Sequence, residues 1–238
     1  MLRKADIERK SNETQIKVSL NIDGTGKTKI KTPIGFLDHM LGLFAFHGYF
    51  DLDLSVTGDT HIDIHHTNED IGIALGKAFK KALGENVLGV RRFGYAFAPM
   101  EATVGLCVID ISGRGYFKFN LGKLNDSNDI SIFNSNVKEN NQISHSNDFN
   151  ALYTSIKNSM DKPSDGVGEY KFDYFEHFME SFAHNLGATL SFTLQNPSND
   201  LHTNLETMFK SLGLALGQAI TRDSRREGKV PSTKGIID

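Results

Sequence analysis

Residues 37–41 read Leu37-Asp38-His39-Met40-Leu41, and residues 175–179 read Phe175-Glu176-His177-Phe178-Met179. Both run apolar, acid, histidine, two apolar. A second pair matches in the same order: His65-His66-Thr67-Asn68-Glu69 is answered by His202-Thr203-Asn204-Leu205-Glu206. The first pair lies 138 residues apart (His39 to His177) and the second 137 (His65 to His202). Two related motifs in one order at nearly one offset predict a duplicated unit. Each unit holds strands and two helices, so the expected class is α+β, built from two pseudo-repeats. The first is expected over residues 1–95 and the second over 96–238.

Working outward, Ile16, Val18, Leu20 and Ile22 alternate with polar residues, which predicts a half-buried strand closed by the turn Asp23-Gly24-Thr25-Gly26. A helix is expected from Phe36 to His47, with Gly48 just past its end. Leu52, Leu54 and Val56 form another alternating strand. A helix from about Thr67 to Leu83 follows, stopped by Gly84. Strands are expected over Arg92–Phe97, Thr103–Ser112 and Gly115–Asn120. Between about 122 and 168 Asn, Ser, Asp and Lys dominate, and apolar periodicity fades. That stretch is expected to be a long surface insertion, with room for a short helix around Phe149–Met160. The pattern then returns as helix Tyr174–Asn185, strand Ala188–Gln195 and helix Leu201–Ile220.

Composition narrows the class. Hydrophobic residues make up 39% and charged residues 23%, as in an ordinary globular chain. A net charge of −3 gives no reason to expect nucleic acid or a membrane surface as partner. Cys107 is the one cysteine, which excludes an internal disulfide framework and favours a reducing, cytoplasmic setting. No run of apolar residues approaches a membrane span, and the N-terminal stretch lacks a signal-peptide core.

The chemistry gathers in the repeated motifs. His65 and Glu69 are four apart, so on a helix they share a face and are able to grip one metal ion. His66 is rotated by about 100° from His65 and addresses a different direction. Imidazole with carboxylate suits manganese, iron, zinc or nickel, and the lack of thiolates argues against a cysteine zinc site. Arg92, Arg114, Lys234 and Arg91 sit in otherwise apolar or turn-rich segments. With Ser232 and Thr233 in Pro231-Ser232-Thr233-Lys234-Gly235, they suggest a phosphate site.

These segments resemble the imidazoleglycerol-phosphate dehydratase family. The resemblance is carried by GFLDHMLGLFAFHGYFDL (35–52), GDTHIDIHHTNEDIGIALGKA (58–78), RRFGYAFAPM (91–100), SGRGYF (112–117), FEHFMESFAHNLG (175–187) and VPSTKGII (230–237). It implies two repeats, each a four-stranded sheet with two helices on one face. It implies a homo-oligomer, a closed shell of about 24 subunits with active sites at their boundaries. It also implies two manganese ions: one on His39, His66, His202 and Glu206, the other on His65, Glu69, His177 and position 203. The implied substrate is a phosphorylated imidazole triol, dehydrated during histidine synthesis, with His39, His65 and His202 also contacting it. Glu13 is the implied proton-transfer group, with Glu69 a second. Arg92, Arg114, Ser232 and Lys234 match the substrate and phosphate contacts.

Three departures stand out. The second cluster has Thr203 where the family pattern carries a second histidine. Ala102 follows Glu101 where an Asp-Glu pair is usual. The insertion after Gly122 replaces a short connection. Two other readings therefore stay open: a catalytically impaired homologue kept as a binding or scaffold protein, and a metal-dependent hydrolase of phosphorylated small molecules.

Overall fold

The structure, a computed structural model, describes residues 3–84, 87–122 and 170–237, together with Thr154 and Asn158. The Asn-rich insertion therefore lies outside the described residues, as does the helix expected at Phe149–Met160 except for Thr154 and Asn158, both helical and exposed.

The first half runs β1 (Lys4–Lys10), β2 (Thr14–Asn21), β3 (Thr28–Lys31), α1 (Gly35–Gly48), β4 (Asp51–Gly58) and α2 (Ile64–Leu83). The second runs β5 (Phe93–Met100), β6 (Thr103–Asp110), β7 (Tyr116–Gly122), α3 (Phe172–Leu186), β8 (Thr189–Gln195) and α4 (Leu201–Ile220). The two sheets share one order, β1-β2-β4-β3 and β5-β6-β8-β7. Each has antiparallel pairs and one parallel pair, β3 with β4 and β7 with β8. A parallel pair needs a long crossover, and α1 and α3 lie in those crossovers. The duplication expected from the motifs is thus present strand for strand.

Alternation dictates the layering. On β2, Ile16, Val18 and Leu20 are buried while Lys17 and Ser19 are exposed, and β4 repeats this with Leu52, Leu54 and Val56. Each sheet therefore has one apolar face, and the helices of its own half cover it. The helices then meet across the halves, α2 against α3 and α1 against α4. Four helices lie between two sheets. Phe44, Phe50, Phe79 and Phe182 form an aromatic centre there, with ring centroids 4.9 to 6.2 Å apart. Such pairs contribute roughly 0.5–1.5 kcal/mol each beyond area burial.

The helices approach closely because glycine lets them. A Cβ on Gly76 of α2 would lie 2.6 Å from the Phe182 carbonyl oxygen, and one on Gly213 of α4 would lie 2.4 Å from that of Phe44. The contacts are counterparts across the duplication. No described helix is long and apolar enough to cross a membrane.

Candidate active site at the helix ends

α4 starts at Asp200, whose side chain accepts hydrogen bonds from the backbone amides of His202 (3.2 Å) and Thr203 (3.1 Å). Burial raises the Asp200 carboxyl, but the Thr203 hydroxyl and these amides outweigh it and hold it below the ordinary range. With the cap in place, His202 and Glu206 stand one turn apart on one face. Replacing Asp200 with Ala is expected to cost about 1–2 kcal/mol, seen as a lower urea midpoint with an unchanged slope. An unaltered midpoint would show that the cap contributes nothing.

α1 brings His39 to the same place from the other half. Glu206 Oε2 lies 3.1 Å from His202 Nε2 and 3.6 Å from His39 Nε2. Its other oxygen accepts from Lys210 Nζ at 2.5 Å. Burial works to raise the Glu206 carboxyl, but Lys210, His202 and His39 together bring it below its usual range. The result is an anion between two imidazoles. Ligand atoms of His39, His202 and Glu206 all lie within 4.8 Å of one another, the one such group among the described residues. The donor set suits a borderline divalent cation.

The counterpart cluster is arranged differently. His65 and Glu69 rise from α2 and His177 from α3. His65 Nε2 is 3.5 Å from Glu69 Oε2, while His65 Nδ1 is 3.1 Å from His177 Nδ1. Opposite edges of one ring thus face the two partners, so the three do not converge as the other group does. They border a cavity of about 350 Å³ that Glu180, Ser181 and His184 also line.

His66 does not join His39, His202 and Glu206 within the chain. Its Nδ1 lies 3.9 Å from Asp59 Oδ2 and 4.0 Å from Glu13 Oε1. His66 Nδ1 and Asp59 Oδ1 are buried atoms without a hydrogen-bond partner among the described residues. Within one chain, α2 turns His66 away from that triad and toward the β1–β2 loop, beside Glu13. Thr203 is turned inward, its hydroxyl donating to Asp200 Oδ2 at 2.8 Å.

The phosphate candidates fall partly together. Arg92 donates to both Asp110 oxygens, at 2.6 and 2.9 Å, and to the Pro231 carbonyl at 3.1 Å. It therefore ties β5 to the tail that carries Ser232 and Lys234. Its backbone is left-handed (φ 75°), held by bonds to Ala219 and Ile111. Such strain is stored at functional positions. The Ser232 hydroxyl accepts from the Lys234 amide at 3.2 Å. Arg114 follows Ser112, whose hydroxyl accepts its amide at 3.3 Å. None of these four residues lines the cavity beside His65. Two neighbours of the clusters escaped the sequence reading. Lys210, four residues beyond Glu206, carried a readable signal in its spacing; Asp59 carried none beyond lying before the repeated helix.

Comparison with known proteins decides the family. The family model for imidazoleglycerol-phosphate dehydratase matches residues 32–141 and 150–216. The chain belongs to that family. The dehydratase of Geobacter sulfurreducens is 57% identical over 121 residues, covering 51% of this chain and 62% of that one. The dehydratase of Acetivibrio thermocellus is 54% identical over 119 residues, covering 50% and 60%. The aligned stretch is thus under two-thirds of each curated relative. Among solved structures, the dehydratase of Pyrococcus furiosus, in complex with (S)-C348, superposes with a TM-score of 0.67 at 28% identity, covering 97% of this chain and 99% of that one. The dehydratase of Staphylococcus aureus gives 0.65 at 26%, covering 92% and 99%. The dehydratase fold thus extends across both halves described above.

Proposed function

We propose that the chain dehydrates imidazole glycerol phosphate to imidazole acetol phosphate in histidine synthesis, with a divalent cation, manganese first, held by His39, His202 and Glu206. The observation that carries this is the convergence of those three donors from opposite halves within 4.8 Å. When bound, the cation supplies Lewis-acid stabilisation of negative charge on the substrate's ring. The chain's own groups do the rest. Loss of water needs a proton taken from the carbon next but one to the ring and one delivered to the departing hydroxyl. Glu13 is half-exposed beside His66 and is the group for proton transfer, with Glu69 beside His65 the second. Arg92, Arg114, Ser232 and Lys234 take the phosphate end, which Arg92 organises by holding the tail.

His66 points away from the triad in its own chain, so it serves the site of another copy, in a homo-oligomeric shell of about 24 subunits. The exposed Phe93, Tyr95, Phe97 and Val108 on the outer face of the second sheet support association. A second reading, a binding or scaffold protein without turnover, is favoured by the inward-turned Thr203.

One assay separates them. Metal-stripped protein is given manganese and imidazole glycerol phosphate, and products are followed by mass spectrometry. Manganese-dependent appearance of a product lighter by one water supports the dehydratase. Release of inorganic phosphate would mark a hydrolase, and no product from folded, metal-loaded protein would leave the scaffold reading.

A further inference from the structure

The duplication allows the two halves to be compared position by position. β2 pairs with β4 so that Ile16 faces Val56, and β6 pairs with β8 so that Gly105 faces Leu194. Val56 and Leu194 are counterparts at the His39-to-His177 offset, so Thr14 corresponds to Thr103, both buried. Glu13 then corresponds to Ala102. His66 corresponds to Thr203, and the cap Asp63 to the cap Asp200. Asp59 has no acidic counterpart, because residues 196–199 read Asn-Pro-Ser-Asn.

The first half thus presents the His66 imidazole flanked by two carboxylates, Glu13 and Asp59. The second half presents an alanine, uncharged residues and a threonine whose hydroxyl is held by Asp200 at 2.8 Å. Each chain has two His/Glu clusters but one such donor group. In a symmetric assembly of identical chains, the His66 group is able to complete one cluster per chain, while the matching position, Thr203, offers the other cluster no imidazole. The geometry inside the chain points the same way: His39, His202 and Glu206 converge, whereas His65 is divided between Glu69 and His177.

We infer that each chain holds one tightly bound divalent cation where an undiverged duplicate would hold two, and that position 203 is the cause. The inference rests on the divalent-cation reading proposed above. The test is a metal count, independent of turnover. The assembled protein is stripped with chelator, dialysed against manganese and then metal-free buffer, and its retained manganese is measured by elemental mass spectrometry. About one ion per chain is expected for the wild type, rising toward two in Thr203→His. Two equally retained ions on the wild type overturn this inference and leave the metal reading intact. No retained ion overturns both. Circular dichroism shows whether Thr203→His folds; if it folds and still retains one ion, position 203 is not the cause. If it does not fold, the wild-type count alone decides between one ion and two.

Discussion

Replacing Glu206 with Ala is expected to abolish turnover and to strip manganese from the His39–His202 pair. Glu206 is the anion that both imidazoles face, and it also balances Lys210, whose side chain is mostly buried. Its removal leaves an unpaired ammonium beside the two imidazoles, so on the proposed reading a cluster that would attract a divalent cation would instead repel one. The loss of affinity should exceed the roughly 10–100-fold that outer-shell partners of metal ligands carry. Manganese titration by calorimetry, with the product assay alongside, checks this. An unchanged affinity would remove Glu206 from the ligand set. The pH sign follows from its depressed carboxyl. The stability its contacts supply is present above the ordinary carboxylate range and is lost only as pH falls below that range through its folded pKa.

The second large effect is structural in origin and chemical in outcome. In Gly213→Ala the new methyl would sit 2.4 Å from the Phe44 carbonyl oxygen, a backbone atom that has no rotamer to escape into. α1 and α4 must separate, at a cost of about 3 kcal/mol, the upper end for forced overpacking. The same movement draws His39 from His202 and Glu206, so manganese affinity should fall along with the urea midpoint. Gly76→Ala, the counterpart at Phe182, separates α2 from α3 instead and should cost similar stability while sparing the His39 cluster. If the two variants lose manganese affinity alike, the coupling of α1–α4 spacing to that cluster is wrong.

Helices were legible because a buried stripe and glycine stops leave a strong signal: Leu201–Ile220 was read to its ends, and Phe36–His47 falls one residue short at each side. α2 begins three residues before its expected start. Asp63 caps it through the His65 amide, so the cap precedes the apolar stripe from which the start was judged. β1 (Lys4–Lys10) and β3 (Thr28–Lys31) carry little sequence signal because both are charged edge strands, the second only four residues long. They have little apolar face to show, as edges that resist stray pairing require. Among site residues, the His65–Glu69 and His202–Glu206 spacings were readable because a helix makes them local. The meeting of His39 with Glu206, and the parting of His66 from both, depend on how two distant halves pack. Neither was visible in spacing.

Each cluster draws on both halves: His39 meets residues of α4, and His177 meets residues of α2. A half-length chain of this design would own neither cluster alone and would acquire both by pairing with its twin. In such a pair every substitution is made twice, so a histidine could not be lost from one cluster and kept in the other. Joining the halves in one polypeptide removes that constraint. Position 203 is then free to differ from position 66, and Ala102 from Glu13. Fusion is what permits a symmetric molecule to give its two sites unequal work.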